Sequence, residues 1–137
     1  MTASAATRNW IGAYYAALDA NRPDEAMRYF APDAVMRFGS EQPIAGSDAI
    51  GQKTREVLDA FGLRHALKNT WEPEEGVVIF ELDVTYILDE GSEVTVPGAG
   101  VGRIEPGCWL EQRLYVDLAP VFARVAEATE RSETSVV

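Results

Sequence analysis

The hydrophobic period of this chain changes once, at Gly62, and that change fixes what the chain can fold into. Before it, apolar residues recur every three or four positions; after it, they alternate. Helices followed by a run of antiparallel strands make an α+β domain, a sheet with helices packed on one face.

Trp10, Ile11, Tyr14, Tyr15, Ala17 and Leu18 mark one side of a helix over Ala5–Ala20. Asn21-Arg22-Pro23 ends it, and Pro23 suits the first turn of a short second helix carrying Ala26, Met27 and Phe30. Pro32-Asp33 turns the chain into a strand, Ala34–Phe38, and a polar loop, Gly39–Gly46, follows. Ser47 is the expected cap of a third helix reaching Phe61, with Asp48 in its first turn. Four strands then alternate with turns: Arg64–Trp71, Val77–Leu88, Glu93–Ile104 and Trp109–Leu118. A terminal helix is expected over Pro120–Ala128 and a frayed tail over 129–137.

The 137 residues fit a single domain, 1–137. Twelve basic against 22 acidic side chains leave a net charge of −10, which argues against nucleic acid and against anionic membrane surfaces as partners. Cys108 and His65 are each the only residue of their kind, so neither a disulfide nor a cysteine-based zinc cluster is open to the chain. No metal site and no cofactor are expected. The first 25 residues have neither a basic n-region nor an apolar h-region, and no apolar run approaches the ~18 residues of a membrane span. A cytoplasmic protein is the expectation.

Three stretches, taken in order, resemble the nuclear-transport-factor-2-like superfamily: Tyr14-Tyr15-Ala16-Ala17-Leu18, Tyr29-Phe30-Ala31-Pro32-Asp33-Ala34, and Arg113-Leu114-Tyr115-Val116-Asp117 at the end of the closing arm. That superfamily includes ketosteroid isomerases, limonene epoxide hydrolases, scytalone dehydratase and SnoaL-like polyketide cyclases. The resemblance runs from Trp10 to about Phe122. It implies a cone, a curved antiparallel sheet with the N-terminal helices on its concave face (a cystatin-like α+β barrel). It also implies a deep apolar pocket and, often, a homodimer. A shared fold does not transmit an activity, so each position is compared in turn. Tyr14 stands where the isomerases carry their helix-borne tyrosine, but Phe38 stands at their base and Gly100 at their second oxyanion donor. Against the epoxide hydrolases, Asp83 matches one acid, Glu81 replaces the arginine and Leu114 replaces the other aspartate.

On the strand Val77–Leu88, Ile79, Glu81, Asp83, Thr85 and Ile87 share one face, and Val78, Phe80, Leu82, Val84 and Tyr86 share the other. Alternation alone puts the polar face in water. The resemblance turns it inward, leaving the apolar face to a partner, so that a homodimer through the outer sheet face is expected. With Asp83 inward and Glu81 beside it, a low-dielectric hollow would let Asp83 serve as general acid or base. Tyr14 would orient a substrate oxygen, or is simply a core tyrosine; His65 would shuttle a proton, or is structural. Trp71 shares the strand parity of His65 unless a bulge intervenes.

The wall of the expected pocket comprises Trp10, Phe38, Glu81, Val96, Gly98, Gly100, Leu114 and Val116. The Val96–Gly102 run lacks the Lys-Ser/Thr ending and following helix of a phosphate loop. Its three glycines, Gly98, Gly100 and Gly102, share a face; their missing side chains would widen a hollow for a flat ligand, or mark a bend in the sheet. Arg113 with Glu111 or Asp117 reads as an outer-face ion pair. Two functions follow. One is a cofactor-free enzyme (isomerase, cyclase, dehydratase or hydrolase) acting on an apolar oxygenated small molecule with Asp83, Tyr14 and His65 as its catalytic groups. The other is a protein that holds such a ligand without converting it. A protein–protein adaptor rests only on the apolar face.

Overall fold

The computed structural model describes residues 2–135. Its elements are α1 (Ala5–Asp19), α2 (Pro23–Met27), β1 (Phe30–Phe38), β2 (Ile44–Ala45), α3 (Ser47–Ala60), β3 (Gly62–Glu74), β4 (Val77–Ile87), β5 (Glu93–Glu105), β6 (Cys108–Val116) and α4 (Ala119–Ser135). The six strands form one curved, unclosed sheet in the order β2-β1-β6-β5-β4-β3, antiparallel except where β1 runs parallel to β6. This is the expected α+β cone, with α1 and α3 against its inner face.

Ser4 starts α1: its hydroxyl accepts the Thr7 N–H at 3.1 Å, satisfying one of the free donors of the first turn. Ile11, Tyr14, Tyr15, Ala17 and Leu18 are buried, the helical spacing of a core-facing stripe. Asn21 ends the helix in the left-handed region (φ 57°), and Pro23 sits in the first turn of α2. Ser47 does not cap α3. Gly46 takes that position at φ 93°, a conformation in which a serine would be strained, and Ser47 becomes the first helical residue. Phe30 belongs to β1 rather than to α2, because its pairing with Trp109 of β6 buries it. The loop read over Gly39–Gly46 contains the two-residue strand β2. The tail expected from 129 is helical through Ser135; residues 136 and 137 lie outside the described residues. No helix among the described residues is long and apolar enough to cross a membrane.

The register decides which face of the sheet is inside. Val78, Phe80, Leu82, Val84 and Tyr86 of β4 are all buried, under the helices of their own chain. Glu81 is exposed and Asp83 is 40% exposed, so the polar face is the outer one. The inward orientation expected for Asp83 is thereby corrected: the apolar stripe has more surface to hide, and burying it is worth roughly 1.5–3 kcal/mol per large side chain. The argument for a dimer that rested on an uncovered apolar stripe falls with it.

Gly98, Gly100 and Gly102 pair with Leu82, Phe80 and Val78 and so do face inward. They do not widen a hollow. A Cβ on Gly102 would come within 2.5 Å of Trp109 Cζ3, and one on Gly100 would overlap the Phe80 ring. The glycines let two aromatic rings lie flat against the backbone, and those rings fill the space. A register shift between Leu67 and Asn69 breaks the alternation of β3. It sends His65 inward opposite Val84, and Trp71 outward opposite Ile79.

Candidate functional site

The helices and the concave face of the sheet enclose an apolar cavity of about 100 Å³. Tyr14, Tyr15 and Leu18 of α1 line one side, Lys53, Thr54, Val57 and Leu58 of α3 another, and Met36, Phe38, Ile44, Leu63, His65, Tyr86 and Leu114 complete the wall. Phe38 and Leu114, both expected in a pocket wall, line this cavity.

His65 is the polar centre of this wall, its side chain 8% exposed. Its Nδ1 lies 2.5 Å from Oδ1 of Asp19, and its backbone N–H donates to Oδ2 of the same carboxylate at 2.9 Å. Both oxygens of Asp19 are thus committed to one residue. The carboxylate partner favours the tautomer with hydrogen on Nδ1, leaving Nε2 as the nitrogen with the free lone pair. The Tyr15 ring lies over the imidazole, centroids 4.6 Å apart.

Asp19 is the functional candidate that sequence reasoning missed, and a signal for it existed. It is the last residue of α1, where a helix dipole disfavours negative charge, and the last turn carries no basic residue. A carboxylate there needs a local partner, and His65 supplies it across the cone.

Three phenols surround the same space. Burial pushes the Tyr15 hydroxyl well above its ordinary range, with Tyr14, Asp19 and Tyr86 adding to the effect, and that hydroxyl has no hydrogen-bond partner. Burial pushes Tyr86 up to about 12. Tyr14 is also raised by burial, opposed by the nearby Gln112 amide. All three are proton donors at neutral pH, not bases. Gln112 is fully buried on the inner face of β6, beside Gly102, and neither its Nε2 nor its Oε1 makes a well-aligned hydrogen bond. Nothing in its sequence context singles it out.

The remaining predicted site residues lie elsewhere. Asp83 is on the outer face, 3.3 Å from Lys68 Nζ, and Glu81 accepts from Asn69 Nδ2 at 3.2 Å beside it. Neither reaches the cavity, which corrects the general acid–base assignment of Asp83 and the lining role of Glu81. Val96 is buried in the core, Gly100 lies beneath Phe80, and Val116 packs over Gly98; none of these lines the cavity. Trp10 stacks near Tyr29 (centroids 6.2 Å, interplanar angle 11°) and lines a different cleft of about 460 Å³, rimmed by Glu72, Glu75 and Glu105. That cleft is larger, but no imidazole or buried phenol faces it. The Cys108 thiol is pushed up by partial burial and by Glu105 and Asp33, which makes it less nucleophilic. Among the described residues no group of three His, Cys, Asp or Glu side chains is placed to hold a metal ion.

Residues 11–112 match the family model described as a SnoaL-like domain. Among solved structures, the chain superposes on a protein from Jannaschia sp. CCS1 assigned as a SnoaL-like polyketide cyclase, at TM-score 0.75 and 18% identity over 89% of this chain and 94% of that one. An epoxide hydrolase of the LEH-like type from M. tuberculosis gives 0.71 and 18% over 84% and 85%. A protein of ketosteroid-isomerase-like fold from Catenulispora acidiphila, crystallised with trimethylamine, gives 0.75 and 16% over 83% and 89%. At these identities the likeness is one of fold. No curated protein matches this chain.

Proposed function

The chain belongs to the SnoaL-like domain family, and from that premise we propose that it is an acid–base enzyme moving a proton on an apolar, oxygenated small molecule. Substrate binds in the cavity between α1, α3 and the sheet. His65 Nε2 takes or returns the proton, Asp19 holds the ring and stabilises the imidazolium, and Tyr15 donates its free hydroxyl to the substrate oxygen. An enolisable carbonyl compound, or a hydroxyl lost after such a step, suits that set of groups. Isomerisation, cyclisation and dehydration all pass through it.

The observation that carries this reading is the Asp19–His65 pair, in which one carboxylate spends both oxygens on positioning an imidazole whose second nitrogen keeps the free lone pair. A base oriented by a third group is the recurring arrangement of proton-transfer sites. The Tyr15 hydroxyl supports it, since a buried donor left without a partner costs about 1–3 kcal/mol unless a ligand meets it.

The test uses 2-tetralone, a flat enolisable ketone, in deuterium oxide. Proton NMR should show exchange at its α-carbons faster than in buffer alone, and His65→Gln should lower the enzyme-dependent rate about a hundredfold. Exchange no faster than buffer would defeat the reading. Saturable binding of the ketone without exchange would leave a protein that holds its ligand and does not convert it.

A further inference from the structure

Beside the inner cavity lies a second chamber of about 290 Å³, roofed by Leu118 and by Phe122 of α4, the helix that starts one residue after Leu118. Phe38, Lys53, Val57 and Tyr86 line both spaces, so they form the neck between them. Three of the four are apolar or aromatic. Lys53 is the single lysine or arginine in either wall, and its acidic partner, Glu41 Oε1, stands off at 3.9 Å. Phe122 is 60% exposed at the roof.

We propose that the two chambers are one elongated site for a mono-anionic amphipathic molecule, an apolar ring system bearing a carboxylate or similar oxyanion that rests on Lys53 at the neck. The inference rests on the proposed function only in placing the reacting end of the ligand in the inner chamber beside His65. Together the chambers reach the size of ordinary ligand pockets, a few hundred Å³, which the inner cavity alone does not. Walls this apolar bury a ring system well, but they give a charged oxygen one place to go. Glu41 and Glu56 line the outer chamber and oppose a second negative charge there. That restricts the ligand to one anionic group, held at the neck and not at the mouth. Lys53 is 39% exposed, so its ammonium keeps part of its hydration and the attraction is moderate. Phe122 closes over the apolar body.

The experiment compares 2-naphthoate with the uncharged 2-acetylnaphthalene by calorimetric titration of the full chain. The wild type should bind the carboxylate about fivefold tighter than the ketone. Lys53→Met should abolish that preference while leaving ketone affinity within about twofold, and Lys53→Gln provides a second variant if the first fails to fold. Phe122→Ala should weaken both probes equally. His65→Gln should keep the preference, so that a failure of the proton-transfer reading stays separate from a failure of this one. Equal affinity for the two probes in the wild type, no binding of naphthoate, or a preference that survives both Lys53 variants would overturn the proposal.

Discussion

Asp19 and His65, 46 residues apart in the chain, meet twice: one carboxylate oxygen faces the imidazole Nδ1 and the other accepts the backbone N–H of the same residue. The second contact pins the strand at the point where the first needs it, so the ring cannot drift without breaking both. Asp19→Asn keeps the size and most of the hydrogen bonding but removes the charge that stabilises an imidazolium. The α-exchange rate with 2-tetralone should fall about tenfold to a hundredfold, and nitrogen NMR of His65 should show the Nδ1–H tautomer losing its dominance. An unchanged rate would make the pair a structural contact.

The buried phenols predict an alkaline weakness. Tyr15 and Tyr86 have folded values raised by burial, Tyr86 to about 12, above the ~10 of an unfolded chain. A group raised in this direction contributes stability that is whole below about pH 10 and is lost as pH climbs from there through the folded value. Unfolding free energy should therefore fall by about 1.4 kcal/mol per pH unit for each such phenol in that window. Urea midpoints measured from pH 8.5 to 11.5 test it, and Tyr15→Phe should flatten the slope. A level midpoint across the window would contradict it.

The helices, the four long strands and the cone were legible in the sequence because period and turn residues carry them. The inner face was not, and the reason is specific. Two arguments competed over β4, simple alternation and positional likeness to distant enzymes, and the apolar stripe of Val78, Phe80, Leu82, Val84 and Tyr86 decided for alternation. His65 and Trp71 were separated by a one-residue shift after Leu67 that leaves no mark in the composition of β3. Asp19 was visible only as an acid at the wrong end of a helix.

The outward placement of Asp83 has its own consequence. Asp83→Asn and Glu81→Gln should each leave α-exchange unchanged and shift stability by no more than about 0.5 kcal/mol, since Lys68 and Asp83 are 55% and 40% exposed. A large loss of activity in Asp83→Asn would return the site to the outer face.

Gly100 is required by the Phe80 ring that lies against it. Gly100→Ala forces the ring or the strand to move and should cost about 1–3 kcal/mol in thermal or chemical unfolding. The loss should shrink in the double variant with Phe80→Leu, because the clash and the side chain that causes it are coupled. Additive losses would place the strain elsewhere.

Gln112 offers the sharpest separation of stability from function. Its amide is fully buried and neither end makes a well-aligned hydrogen bond, although the Tyr14 phenol lies nearby. An amide kept in that state costs about 1–3 kcal/mol against an apolar side chain of the same length. Gln112→Met should therefore raise the unfolding free energy by about 1 kcal/mol. Gln112 does not line the ligand cavity, but Tyr14 beside it does, so a chain that tolerates such a cost gains by it only when the Tyr14 hydroxyl, repositioned by a ligand, meets the amide. The same variant should then bind 2-tetralone several-fold more weakly while being the more stable protein. If Gln112→Met is instead destabilised with ketone binding unchanged, the amide is serving the fold through a contact with Tyr14 and has no part in recognising the ligand.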